Sequence, residues 1–143
     1  MSSPNHANTL TRLHDAFNAR DAETCRSLLA DDVAWHLPGH HPMAGTYAGR
    51  NEVWDRFLAP FWPTASRLDD NGTVSHPDRQ HIAMLVDIVL DLGDGEQTLR
   101  ALEVVRVEQG RIVERCEHHE DEAELDRVIT AIVERMTQIG GRR

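Results

Sequence analysis

The sequence contains no lysine; all fifteen of its basic residues are arginine. Schiff-base chemistry and catalysis by a lysine amine are thereby excluded. Cysteine is nearly as scarce: Cys25 and Cys116 stand far apart, with no C-x-x-C pairing. That usage fits reduced thiols with packing roles better than a disulfide framework. No apolar run approaches the roughly 20 residues that cross a bilayer. Met1 to His6 has no basic start followed by an apolar stretch, so no secretory signal is read there. The expected location is the cytoplasm, with no membrane partner. Against 15 basic residues stand 24 acidic ones, a net charge of −9. A field of that sign repels a polyanion and argues against nucleic acid. The G-x-S-x-G, P-loop and dinucleotide glycine patterns are also absent.

What is present is the balance of a globular protein. With 143 residues, 40% apolar and 27% charged, one domain over 1–143 with a single core is expected. Ser3-Pro4 can cap and start a helix, and Leu10, Leu13 and Phe17 continue it at helical spacing to about Asn18. Asp21 can cap a second, short helix with Cys25, Leu28 and Leu29 on one face, closed by Asp31-Asp32. Val33 to Leu37 reads as a strand ended by Pro38-Gly39. From Pro38 to Gly49 the chain is His-, Gly- and Pro-rich, a loop at the lip of a pocket carrying His40, His41, Met43 and Tyr47. Val53, Trp54, Phe57, Leu58 and Phe61 restore the helical period over Asn51 to Phe61, with Pro60 and Pro63 terminating it.

The second half changes period. His81 to Leu92, Thr98 to Glu108 and Arg111 to His118 are β-rich runs joined at Gly93-Asp94-Gly95 and Gln109-Gly110, which predicts three consecutive antiparallel strands. Asp121 to Met136 closes the chain as a helix with Leu125, Val128, Ile129, Ile132 and Val133 on one face. Asn71-Gly72-Thr73 reads as a turn. Helices first and a meander afterwards imply an α+β domain with helices on one face of a curved sheet.

Strand alternation then selects polar residues. Residues two apart share a face, so Asp87 falls in a row with Ala83, Leu85 and Val89, and Glu103 in a row with Leu99, Ala101, Val105 and Val107. The last strand aligns Val113, Arg115, Glu117 and His119, with Cys116 and His118 opposite. A carboxylate among apolar neighbours must be paired, protonated or facing a wet cavity. Asp87, Glu103, Arg115 and Glu117 therefore either line a pocket on the concave face or sit near sheet edges in structural ion pairs. The seven acids against one Arg between Glu114 and Asp126 would raise the pKa of Glu117. Trp35 is either a pocket wall or plain core, His36 points to the opposite face, and His40 and His41 belong to the lip loop. Glu117 to Glu122 mixes imidazole with carboxylate. Adjacent strand residues face opposite ways, however, and Ala123 breaks H-E-x-x-H, so no metal is expected.

Five strings in this order resemble the SnoaL-like branch of the nuclear transport factor 2-like superfamily. They are Asn18-Ala19-Arg20-Asp21, Leu29 to His36, Pro38-Gly39, Gly45 to Arg50, and Glu108 to Glu114. The resemblance implies a cone-shaped α+β fold, a curved antiparallel sheet wrapped by helices around a deep apolar pocket. It also implies dimerisation through the sheet's outer face and, in most members, no metal or organic cofactor. The superfamily holds polyketide cyclases, ketosteroid isomerases, limonene-type epoxide hydrolases, dehydratases and non-catalytic binding domains, so fold alone does not decide function. Glu117 is similar to the acid-base Asp position of the cyclases, and also to one Asp of the hydrolase Asp-Arg-Asp arrangement. Asp87 is similar to the other, while the intervening Arg position matches Leu85, which leaves that pattern incomplete. Arg115 can supply a guanidinium from the neighbouring strand instead. The ketosteroid isomerase base would fall at Leu37 and its Tyr at about Leu13, neither able to act. Its second acid corresponds to Glu103, which when protonated can donate to an enolate.

The expectation is a cofactor-independent cyclase- or isomerase-like enzyme acting on a small hydrophobic carbonyl compound. Glu117 would be its acid-base group, Glu103 its oxyanion donor, and Arg115 and Asp87 would set protonation states. Trp35, Leu37, Leu85, His40 and His119 are the candidate substrate contacts, and His119 is also a candidate proton relay. Epoxide hydrolysis and a non-catalytic ligand-binding module are the alternatives.

Overall fold

The computed structural model describes residues 6–75, 80–93 and 95–140. Its elements run α1 (His6–Asn18), α2 (Ala22–Ser27), β1 (Leu29–Leu37), β2 (Gly45–Ala48), a helical segment from Arg50 to Thr64, β3 (Ala65–Ser75), β4 (His81–Asp91), β5 (Glu96–Glu108), β6 (Arg111–His119) and α5 (Glu122–Gly140). The six strands form one curved sheet in the order β2-β1-β6-β5-β4-β3. Only β1 and β6 pair in parallel among the described strands. The expected α+β class therefore holds, with the helices packed onto one face of the sheet. Leu10 and Phe17 of α1, Phe57 and Leu58 of the helical segment, and Leu125 and Ile129 of α5 share one core with the strands. Among the described residues no helix is long and apolar enough to cross a membrane.

Several local devices fix the layers. The Ser3-Pro4 cap lies outside the described residues, but the end of α1 is a Schellman motif: Asp21 N–H donates to Ala16 O and Arg20 N–H to Phe17 O. Arg20 occupies the left-handed position at φ 61° without being glycine. Its guanidinium offsets that cost by bonding Trp62 O and Ala65 O and by lying over the Phe17 and Trp62 rings. Asn18 adds a reciprocal pair with the Leu68 backbone, which docks α1 on β3. Asp21 caps α2 through Thr24 N–H, and Asp121 receives the N–H of Glu124 at the start of α5, both as expected. Gln109-Gly110, with φ of 53° and 75°, joins β5 to β6 in a tight turn.

The differences from the sequence reading have physical reasons. Helix α2 stops at Ser27, and Leu29 to Asp32 are strand, because Ile112 N–H donates to Leu28 O and opens the β1–β6 pairing. That non-local ladder overrides local helical spacing. Part of the lip loop forms β2, and polar Ala65 to Ser75 forms edge strand β3. Asn71-Gly72-Thr73 is thus not a turn but a register shift within β3, where Gly72 takes φ 135°. The segment expected as one helix over Asn51 to Phe61 is α3 (Arg50–Val53), a π turn (Trp54–Leu58) and α4 (Ala59–Phe61), followed by a 3-10 turn (Trp62–Thr64). Pro60 has no N–H to return to the helix ladder, and the helix widens ahead of it. Helix α5 continues past Met136 to Gly140.

Candidate functional site

Strands β5 and β6 pair in a register that sets Glu103 opposite Glu117, Val105 opposite Arg115 and Ala101 opposite His119. Two carboxylates thus face each other on one buried stretch of sheet, an arrangement that repels itself without a cation. Arg115 supplies the cation. Its Nε donates to Glu103 Oε2 at 2.5 Å and its Nη2 to Glu117 Oε1. All three side chains are buried, between 4% and 8% exposed, so solvent does not screen them.

Both acids have a second partner. His119 Nε2 bonds Glu117 Oε2 at 2.5 Å. On the other side, His14 of α1 presents Nε2 to Glu103 Oε1 at 2.8 Å and Nδ1 to Asp70 Oδ1 of β3 at 2.6 Å. A ring with a carboxylate at each nitrogen is held as the doubly donating imidazolium. The six residues Asp70, His14, Glu103, Arg115, Glu117 and His119 form one continuous chain of hydrogen bonds from α1 across the sheet.

The charges follow from that geometry. Burial pulls His14 towards neutrality, but Glu103 and Asp70 outweigh it and push its pKa up to about 9. Burial raises Glu103, yet Arg115 and His14 bring it down to about 2. Glu117 is lowered as well, with Arg115 and His119 overcoming its desolvation. Arg115 is raised despite burial because both carboxylates favour its charge. The expected protonated Glu103 is therefore a carboxylate and donates nothing, and the acids between Glu114 and Asp126 do not raise Glu117. Contact with a guanidinium prevails over more distant like charge.

The charged chain borders a cavity of about 60 Å³, several times the room one water needs. Its other walls are apolar apart from His41. Trp35 and Leu37 of β1 line it, as do Glu103, Arg115, Glu117 and His119. Trp35 forms a wall under the cation, with Arg115 Cζ 4.3 Å from its ring centroid. Among the described residues, buried Arg115 Nη1 and Trp35 Nε1 have no hydrogen-bond partner.

Three expected site residues lie elsewhere. Asp87 and Leu85 are on the outer face of β4, because the uncharged row Ile82, Met84, Val86, Ile88 and Leu90 takes the buried face. Asp87 is paired there with Arg100 Nε at 2.9 Å and with Asn71, and Arg100 holds its pKa down. Leu85 stands opposite Leu102, itself 39% exposed. The His40 side chain is 90% exposed, while its backbone N–H is tied to Asp126 Oδ1 at 2.9 Å. His41 turns into the wall in its place, with Nδ1 accepting the Met43 N–H and burial keeping the ring towards neutral.

His14 and Asp70 are the site residues the sequence reading missed. His14 carried a signal, because it occupies the helical stripe of Leu10, Leu13 and Phe17 as a polar residue at a core position. Asp70, in a polar run without alternation, carried none.

Residues 10–115 match the SnoaL-like domain family. No curated protein matches the sequence. Among solved structures, a protein of unknown function from Burkholderia pseudomallei, described as NTF2-like, is 29% identical, covering 91% of this chain and 99% of its own at a TM-score of 0.75. Bal32a, from a soil-derived mobile gene cassette, is 22% identical over 85% of this chain and 94% of its own, with a TM-score of 0.76. TerC, co-crystallised with polyporic acid, is 20% identical over 89% and 98%, with a TM-score of 0.74.

Proposed function

The chain belongs to the SnoaL-like domain family, and from that premise we propose that it is a small-molecule enzyme moving a proton on a hydrophobic carbonyl compound, in the manner of a cyclase or isomerase. The observation that carries the reading is the buried Glu117–His119 pair in the wall of a largely apolar cavity. Both oxygens of Glu117 are occupied, by Arg115 and His119. The group left for substrate is therefore the imidazole. With Nε2–H donating to Glu117, the Nδ1 lone pair of His119 is the base that takes a proton alpha to the carbonyl. The ionised Glu117 then stabilises the imidazolium, and Arg115 keeps Glu117 ionised. Glu103 passes from oxyanion donor to a fixed counter-charge. The N–H groups of Arg115 Nη1 and Trp35 Nε1, unmatched among the described residues, are the donors assigned to the developing oxyanion.

The test is deuterium uptake from heavy water at the α-carbon of aryl ketones and 1,3-diketones, followed by proton NMR. Exchange by the wild type that falls about 10²- to 10⁴-fold in His119→Ala supports the reading. Ketones that bind without exchanging would overturn it and leave a binding module.

One observation favours a second reading, epoxide hydrolysis: Arg115 bridges two carboxylates, a carboxylate–guanidinium–carboxylate arrangement built from Glu103 and Glu117. Both acids are held ionised, so the proton for the epoxide oxygen would have to come from an imidazolium. Incorporation of oxygen-18 from labelled water into a diol product separates this from proton transfer, which adds no water. The proposal also includes a cytoplasmic homodimer. Sedimentation at micromolar concentration tests the dimer, and a strict monomer contradicts it.

A further inference from the structure

On the opposite side of the sheet from the cavity, β1 and β6 bring together a second group of chemistry-bearing side chains. Their parallel register sets His36 beside Cys116 and Ala34 beside Glu114. Alternation then turns His36, Glu114 and Cys116 to one outer patch, while Trp35, Arg115 and Glu117 point inward. One donor atom from each of the three, an imidazole nitrogen, a carboxylate oxygen and the thiol sulfur, lies within 4.8 Å of the other two. All three residues are partly exposed.

We infer that His36, Glu114 and Cys116 form a surface site for a borderline-soft divalent cation of the zinc or cobalt kind, with water completing a four-coordinate shell. A tetrahedral ion bound at about 2.0–2.3 Å to N, O and S donors spaces those donors roughly 3.3–3.6 Å apart. The His36 Nε2 to Glu114 Oε2 distance is 3.0 Å, so the site closes on an ion by small side-chain shifts. The mixed thiolate, imidazole and carboxylate set selects against magnesium and calcium, which prefer all-oxygen shells.

The surroundings supply the orientation such a site needs. Thr46 of β2, paired with His36, places its hydroxyl 2.9 Å from Nδ1 and so directs Nε2 at the other two donors. Glu114 Oε1 faces Arg106 Nε at 3.8 Å, which leaves Oε2 for the ion. Cys25 is buried, so Cys116 is the only thiol the outer face offers. Cys116 binds the ion as thiolate, so uptake releases its proton to solvent. None of this depends on the chemistry proposed for the cavity.

The experiment titrates the reduced full-length chain with cobalt(II), and then measures zinc(II) by competition against a chromophoric chelator. One equivalent of cobalt should produce a near-ultraviolet thiolate-to-metal charge-transfer band. Cys116→Ser should abolish the band, and His36→Ala and Glu114→Gln should each weaken binding by more than tenfold, while His118→Ala leaves it unchanged. Thr46→Val, which keeps the strand residue's shape, should weaken binding by about tenfold through loss of ring orientation alone. Absence of the band in the wild type, or a band that persists in Cys116→Ser or His36→Ala, overturns the site. If Cys116→Ser loses the fold by circular dichroism, the Thr46→Val and Glu114→Gln titrations decide, and unchanged affinity in both rejects it.

Discussion

Glu103 and Glu117 face each other across the β5–β6 ladder, and both stay ionised because one guanidinium lies between them. Replacing that guanidinium with an apolar side chain leaves two buried carboxylates without their shared cation. Arg115→Leu should cost about 3–5 kcal/mol of stability. It should also move the apparent pKa of the acid pair upward, so that one of the two holds a proton at neutral pH. Carbon-13 NMR of labelled glutamate side chains checks this, and unchanged titration removes Arg115 from control of the site.

The His14 imidazolium ties stability to pH on both sides. Its folded pKa of about 9 lies above the ordinary 6.5, so its contribution is complete below 6.5 and is lost as pH rises through 9. Glu103, depressed to about 2 from 4.5, contributes fully above 4.5 and loses its share as pH falls through 2. Urea midpoints should therefore peak between about pH 4.5 and 6.5 for the His14–Glu103 pair. His14→Phe should lower the plateau and flatten the alkaline arm, and an alkaline arm as steep as in the wild type would contradict the assignment.

Asp87 should be silent in the chemistry. Its partner Arg100 is exposed on the outer face, where solvent screens the pair. Asp87→Asn is expected to leave proton exchange within about twofold of the wild type. A loss comparable to that of His119→Ala would return Asp87 to the mechanism.

Gly39 holds the lip of the cavity. At φ +105°, an added Cβ would sit 2.4 Å from Asp126 Oδ1 and 2.9 Å from His41 Cδ2. Gly39→Ala should break the Asp126 tie to the His40 backbone, displace His41 from the wall and weaken binding of a cavity ligand. Gly45→Ala, at φ +131° with nothing within 4 Å, carries backbone strain only and serves as the comparison. Thermal melts and ligand titrations of the two variants separate strain from loss of the wall.

The sequence carried more of the fold than of the site's chemistry, for reasons visible in particular residues. Arg115, Glu117 and His119 were legible because they recur at period two beside apolar residues, and Glu103 because it interrupts an apolar row. The phase of β4 was misread. An acid flanked by Ala83, Leu85 and Val89 resembles an inward Asp87, but the uninterrupted row from Ile82 to Leu90 competes for the same core and has no charge to desolvate. Strand β3 was invisible because an edge strand needs few apolar residues. The protonation state of Glu103 was misread for a different reason. It depends on His14, 89 positions away in the chain, and no local pattern registers a partner that tertiary folding delivers.

Arginine never gives up its proton at physiological pH. The chain of hydrogen bonds from Asp70 to His119 is thus an electrical connection without being a proton wire, because Arg115 insulates its middle. A proton captured on the His119 side has no route to the Asp70 side of the sheet through that chain. It departs with the product or to water that enters the cavity, so solvent exchange reads the His119 side of the sheet alone.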